Sequence, residues 1–345
     1  MNLTLDGIIF SLQRHGGITV YFRELLAQVV ASGMAARLTL DLPVIQDLTD
    51  LPGAQFAERR SARIGERFRD CRLPSGTTVF HSSYYRRPAQ LDVPTVVTVH
   101  DFIYERFRRG PQKWVHMAQK HAAIRHAQAL ICISESTRDD LLEWVGVRPD
   151  QTVHVIPNGV SEVFRPLAGA VAVRPFVLFV GERRGYKNFA LALATMDFLP
   201  EIELHCVGGG PLRDEEFAGC NASVRARVRH LGFVSDEALN TAYNHALCLF
   251  YPSRYEGFGI PVVEAMRAGC PVVCIDCKAV IEVGGDALER AEVEDPAALA
   301  DAVQRIQDSA NRQKRIAAGI ERASTFDWRR CHEQTLQVYR QLAAG

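Results

Sequence analysis

The feature that most constrains the fold of this chain is a short apolar run passed through a glycine-rich turn into a helix. Leu247 to Tyr251 is such a run, Tyr255-Glu256-Gly257-Phe258-Gly259 is the turn, and Pro261 suits the first position of a new helix. The arrangement recurs. Leu3 to Phe10, Val79-Phe80-His81, Thr95 to His100, Ala129 to Ile133, Val153 to Pro157, Phe176 to Gly181, Ile202 to Val207, Leu231 to Val234 and Pro271 to Ile275 all read as short buried strands. Helical patterns follow several of them: Ile18, Tyr21, Leu25 and Val29 share one face, residues 113–126 form another helix, and Ser134 with Glu135 opens a third. Such alternation predicts parallel α/β sheets. At 345 residues the chain has room for two such domains, and the aperiodic stretch Phe164 to Arg174, flanked by Pro166, Gly169 and Pro175, reads as the linker.

A glycine-rich turn at a helix N-terminus offers backbone N–H groups and the positive end of the helix dipole, which together make a seat for phosphate. Glu256 stands before this turn and Glu264 in the helix after it. Neither carboxylate can usefully face a phosphate of the same sign, so both call for hydroxyls or a metal. A nucleotide sugar, with phosphates between two polyols, satisfies all three features. The plainer alternative is that Glu264 only complements the helix dipole and Glu256 is solvated. Gln13-Arg14-His15-Gly16-Gly17 is a second glycine-rich loop leading into a helix, and structurally its glycines need be no more than a tight turn.

Other motif readings fail on spacing. Gly181 and Gly185 have three residues between them where a P-loop has four, and Asn188 follows Lys187, so 181–188 is no phosphate-binding P-loop. Gly208-Gly209-Gly210-Pro211 is followed by Arg213 where a dinucleotide fingerprint needs glycine. Cys274 and Cys277 form one CxxC with no partner pair, and read as small buried apolar residues rather than a zinc site. With 40 basic and 40 acidic residues the chain carries no nucleic-acid footprint. No apolar stretch approaches the roughly 20 residues of a membrane span, and no charged-then-apolar leader precedes the first strand, so the expected location is cytoplasmic. Residues 58–72, with Arg59, Arg60, Arg63, Arg67, Arg69 and Arg72, read either as a solvated helix face or as a surface for anionic lipid at the inner face of the membrane.

The string Glu256-Gly257-Phe258-Gly259-Ile260-Pro261, continued by Glu264-Ala265-Met266 and ending at Pro271-Val272-Val273, resembles the signature of the retaining family-4 glycosyltransferases of the GT-B fold. That resemblance implies two Rossmann-like α/β domains facing across a cleft: an acceptor-side domain over 1–165, a nucleotide-sugar domain over 166–326, and a final helix over 327–345 that returns to the first domain. It implies roles for individual residues. Glu264 binds the donor ribose, Glu256 lies by the donor sugar, and the backbone of Gly257, Phe258, Gly259 and Ile260 holds the phosphates. Arg183 and Lys187, in a segment similar to the family's Arg-x-x-x-Lys-Asn, bind the diphosphate. Gly16 and Gly17 face the donor phosphates, His100 of a Val-His-Asp contacts the donor sugar and phosphate, and Phe233 and Val234 border the base. Glu282-Val283 resembles the family's Pro-Glu-Val, with Ile281 in place of proline.

The implied reaction is transfer of a sugar with retention, by same-face attack in which the leaving phosphate accepts the acceptor's proton, without a cofactor or a divalent metal. Similarity to bacterial mannosyl- and rhamnosyltransferases of polysaccharide assembly points first to GDP-mannose as donor and to a glycan or lipid-linked glycan as acceptor. Arg59 to Arg72 with Arg106, Arg108 and Arg109 would then meet an anionic membrane. The alternative is a catalytically silent nucleotide-sugar-binding subunit of a glycan-assembly complex.

Overall fold

A computed structural model of the chain describes residues 1–13, 16–44, 53–169, 175–183 and 185–344. Arg14, His15 and Arg184, and parts of the weakly patterned and linker stretches (45–52 and 170–174), lie outside the described residues. The chain divides into two units, Met1–Gly159 with Trp328–Gly345, and Val160–Asp327.

The first unit is built on a parallel sheet whose strands are β1 (Leu3–Asp6), β2 (Ala36–Leu40), β3 (Ala57–Arg59), β4 (Val79–Ser82), β5 (Thr95–Val99), β6 (Ala129–Cys132) and β7 (Thr152–Val155), in the order β3-β2-β1-β4-β5-β6-β7. Its helices are α1 (Ile9–Leu12), α2 (Gly17–Ala31), α3 (Ile103–Phe107), α4 (Pro111–His126), α5 (Glu135–Trp144) and, from the far end of the chain, α13 (Trp328–Ala344). The apolar face of α2, with Tyr21, Phe22 and Leu25, packs in one core with Leu3, Leu5, Val79 and Ile131 of the sheet and with Trp328, Val338 and Tyr339 of α13. Gly159 is required where the first pass through this unit ends, because a Cβ there would lie 2.2 Å from the backbone nitrogen of Trp328. Ser134 caps α5 by accepting from the Thr137 N–H at 2.9 Å, as its position before Glu135 predicts.

The second unit has strands β8 (Phe176–Val180), β9 (Glu203–Val207), β10 (Val228–Gly232), β11 (Cys248–Tyr251), β12 (Val272–Ile275) and β13 (Leu288–Ala291), all parallel, in the order β10-β9-β8-β11-β12-β13. Around it lie α6 (Phe189–Thr195), α7 (Ala222–Arg225), α8 (Asp236–His245), α9 (Ile260–Arg267), α10 (Lys278–Gly284), α11 (Pro296–Gln307) and α12 (Ser309–Ala323). The chain runs outward from β8 to β10 and returns to β11 beside β8, so the strand order reverses between β8 and β11. In open parallel sheets the crevice at the carboxyl ends of two such strands is the place for a ligand.

Three expectations change. The first strand ends at Asp6, and the turn to α1 follows where a longer strand was read. Residues 58–72 hold no α-helix: Ala57–Arg59 is an edge strand and Glu66–Phe68 one 3-10 turn, because Glu66 is tied down by Arg63 and Arg86. The stretch read as linker begins inside the second unit. Phe164 is buried edge-on against Tyr243, and the backbone N–H groups of Arg165 and Leu167 donate to the side-chain oxygens of Asn240 and Asn244 of α8.

Candidate functional site

In the second unit the loops leaving β8 and β11 meet at the point of strand reversal. Tyr251 ends β11, and the chain turns through Pro252 to Gly259 into α9. Gly259 caps that helix at φ 96°, a left-handed conformation that a residue with a Cβ would hold only under strain, and its carbonyl accepts from Val262 N–H at 2.9 Å. Phe258 turns its ring inward, edge-on to Phe326 at 5.5 Å, which anchors the turn and leaves its backbone to define the surface. The helix starts at Ile260, one residue before Pro261, which has no N–H to leave unpaired in the first turn.

The loop after β8 is tied to this turn by the Arg254 N–H, which donates to Tyr186 O at 2.9 Å, and by Glu294, which accepts from both Arg254 and Asn188. Asn188 sits at φ 57° and closes the single turn Gly185–Lys187. Lys187 is thereby aimed at the β11 loop. Its Nζ donates to Glu256 Oε1 at 2.6 Å and to Tyr251 Oη at 2.9 Å, with all three residues largely buried. The pair forms a charge-assisted contact between the two loops.

Arg183, expected at a diphosphate, lies against the loop after β9. Its guanidinium donates to the carbonyls of Gly208, Gly209, Gly210 and Pro211 and to the Glu216 carboxylate, with a side chain 1% exposed. Three successive glycines at φ between 71° and 83° turn those carbonyls toward one point, and the arginine fork satisfies them. Arg183 is thus a clamp on the loop after β9.

Glu264 lies on α9 with Oε2 accepting from Tyr243 Oη of α8 at 3.0 Å. Desolvation, opposed by that hydrogen bond and reinforced by Asp236, raises its carboxyl to about 7. Phe233 and Val234 fall just past the end of β10, and the Phe233 ring is 67% exposed. Ile281, at the family's proline position, donates its N–H to Cys277 O at 2.9 Å inside α10, a bond proline cannot make. Among the described residues no three His, Cys, Asp or Glu side chains gather as a metal-binding group.

In the first unit Gly16 caps α2 at φ 155° and Gly17 is its first residue. His100 follows β5 with its ring buried edge-on to Tyr21, 5.3 Å between centroids, and its Nε2 has no hydrogen-bond partner among the described residues. Burial and then the Lys120 ammonium push it down to about 3, so it is neutral at any physiological pH. Lys120 in turn holds the loop by donating to Asp101 O and to Glu105.

Two open surface cavities lie elsewhere. One of about 490 Å³ is lined by Glu162, Arg165, Asn240 and Thr241, and one of about 420 Å³ by Phe68, Arg69, Val115 and Gln119; neither contains a residue singled out above as a site residue. Sequence reading missed Tyr251 and Tyr243, since each falls in a stretch whose pattern reads as packing.

Residues 165–322 match the family model described as glycosyl transferases group 1, and residues 51–163 match that of glycosyltransferase family 4. The chain is 30% identical over 290 residues to the alpha-maltose-1-phosphate synthase of Mycolicibacterium smegmatis, covering 73% of this chain and 74% of that protein. It is 29% identical over 288 residues to the O-antigen chain mannosyltransferase B of Escherichia coli, covering 76% and 74%. Among solved structures, the sucrose-phosphate synthase of Thermosynechococcus elongatus superposes with a TM-score of 0.79 at 22% identity over 99% of both chains. Anabaena HepE in complex with UDP-glucose superposes at 0.74 and 16% identity over 99% of this chain and 100% of that one.

Proposed function

Since the chain belongs to the family-4 glycosyltransferases and carries the two parallel Rossmann-like units of their GT-B fold, we propose that it transfers a sugar with retention from a nucleoside diphosphate sugar to a hydroxyl of a glycan or lipid-linked glycan. The observation that carries this reading is the junction of Lys187 with Glu256 at the strand reversal, beside the capped helix that bears Glu264. In the proposed reaction the bond from the anomeric carbon to the diphosphate oxygen breaks and the acceptor oxygen bonds to that carbon on the same face. The acceptor proton passes to the departing phosphate.

Lys187 and the amides of the Gly257–Ile260 turn take up the charge that develops on the diphosphate, which lets protein groups serve in place of a divalent ion. Glu256, released from Lys187 by the incoming phosphate, orients hydroxyls of the sugar, and Glu264 accepts from the ribose. His100 offers its unpaired Nε2 to the donor, and the amides at Gly16 and Gly17 its second anion contact. Phe233 and Val234 border the base. GDP-mannose is the first donor to test, on the strength of the resemblance to bacterial mannosyltransferases, and the E. coli relative's name carries the same sugar. Incubation with labelled GDP-, UDP- and dTDP-sugars and analysis of the product, with the anomeric configuration read by NMR, decides the case: binding without transfer, or an inverted product, overturns it.

We also assign the acceptor side to an anionic membrane surface, in a form that differs from a purely basic face. Arg60, Arg63, Arg87 and Arg106 are paired with Glu58, Glu66, Asp70 and, for Arg106, Asp140 and Glu143. The exposed groups beside them are apolar: Ile64 is 93%, Trp114 66% and Phe68 58% exposed. Arg69, Arg108 and Arg109 remain to meet lipid phosphates while these side chains enter the interface.

A further inference from the structure

The geometry points to Tyr251 as a positioning residue that holds the Lys187 ammonium in line for the donor diphosphate. The inference rests on the reading above that Lys187 meets the diphosphate. Tyr251 stands at the last position of the strand beside the reversal, where a side chain reaches from the sheet to the ligand crevice. Its ring is 2% exposed and passes beneath the phosphate turn, 3.9 Å from where a Cβ of Gly259 would lie. Its hydroxyl accepts from Lys187 Nζ at 2.9 Å. Burial and the neighbouring Glu256 carboxylate hold the phenol well above its ordinary range, so Oη keeps its proton and donates to that carboxylate while accepting from the lysine.

A lysine side chain has four rotatable carbons and three equivalent donors, and its position is expensive in entropy to fix. Here two donors are fixed, one on Tyr251 and one on Glu256, and Gly181 packs alongside, where an added Cβ would lie 3.5 Å from Lys187 Cε. The third N–H then has one direction left. When a phosphate displaces Glu256, the tyrosine is the contact that keeps the ammonium from following the carboxylate away. Packing alone does not need a hydroxyl at this position, since phenylalanine fills the same space.

Tyr251→Phe separates the two roles. Calorimetry of the full chain with guanosine, GMP and GDP, and with uridine, UMP and UDP, reads the gain in affinity from nucleoside to diphosphate. Loss of one hydrogen bond to a charged group should lower diphosphate affinity by about tenfold or more while nucleoside affinity stays unchanged. Lys187→Met should lose the same preference, and Tyr251→Phe added to it should cost nothing further. If Lys187→Met keeps the preference for diphosphate, the reading of Lys187 fails. If Lys187→Met loses it and Tyr251→Phe does not, Tyr251 is a packing residue and the inference falls while that reading stands. A lowered thermal midpoint in Tyr251→Phe with the preference intact has the same meaning.

Discussion

Glu264 is a carboxyl that the fold keeps near half-protonation at neutral pH. Its value of about 7 lies above the ordinary 4.5, so the ligand-free fold binds a proton that the unfolded chain releases, and this group's contribution to stability falls as pH rises from 4.5 to 7. Ribose hydroxyls donate to the ionised form, so nucleotide binding has the opposite slope. Affinity for GDP or UDP should rise from pH 6 to pH 8, by up to about tenfold per unit below the carboxyl's own value. Glu264→Gln should flatten that slope, and calorimetry at the two pH values checks it. Glu264→Ala should weaken free-nucleotide binding and Glu256→Ala should spare it while slowing turnover; equal loss in both would end the division of labour. Lys187→Ala should lower the rate by about a hundredfold, with EDTA leaving the wild type unchanged. Abolition by EDTA and restoration by Mn²⁺ would return both glutamates to metal ligation. The two carboxylates were legible in the sequence because they stand eight positions apart on one continuous turn and helix. Tyr251 and Tyr243 were not, because their partners Lys187 and Glu264 lie 64 and 21 residues away and only the fold brings them together.

At the scale of elements, the strand-and-turn grammar carried most of both sheets, since a parallel strand buried on both faces reads as an unbroken apolar run. It failed where charge sits inside. Arg86 is fully buried after β4 and reaches Asp6 at the end of β1, Asp41 after β2 and Glu66 in the 3-10 turn. That network, and not periodicity, organises residues 58–72, and no local pattern announces a partner 80 positions away. Asp6 is raised to about 6 by burial in spite of Arg86. Arg86→Met should destabilise the first unit by about 3–5 kcal/mol at neutral pH, because it strands buried carboxylates without their cation. Without its cation the Asp6 carboxyl titrates higher still in the folded state, so the deficit should shrink as pH falls toward 5, and urea melts at pH 7.5 and 5.5 measure it. In the second unit Arg183 likewise ties down a loop by buried polar contacts, donating to carbonyls after β9.

At the scale of the whole molecule, the proposed membrane contact predicts flotation with anionic liposomes. Raised salt should weaken but not abolish it, since the apolar side chains are insensitive to the screening that removes the arginines' share. Trp114→Ala with Phe68→Ala should abolish flotation in high salt; full release of the wild type by salt alone would leave only an electrostatic contact. The last helix has another kind of consequence. Residues 328–344 complete the core of the unit that begins at residue 1, with Trp328, Val338 and Tyr339 buried among the first strands, while residues 160–327 form a unit that is continuous in sequence. On the ribosome, then, the part made first is finished last: the second unit can reach its native fold while the first still waits, one helix short, with apolar sheet exposed. A stop after Asp327 should leave a normal second unit attached to a first one that proteases cut, so a change at residue 328 is felt among strands more than 170 residues before it.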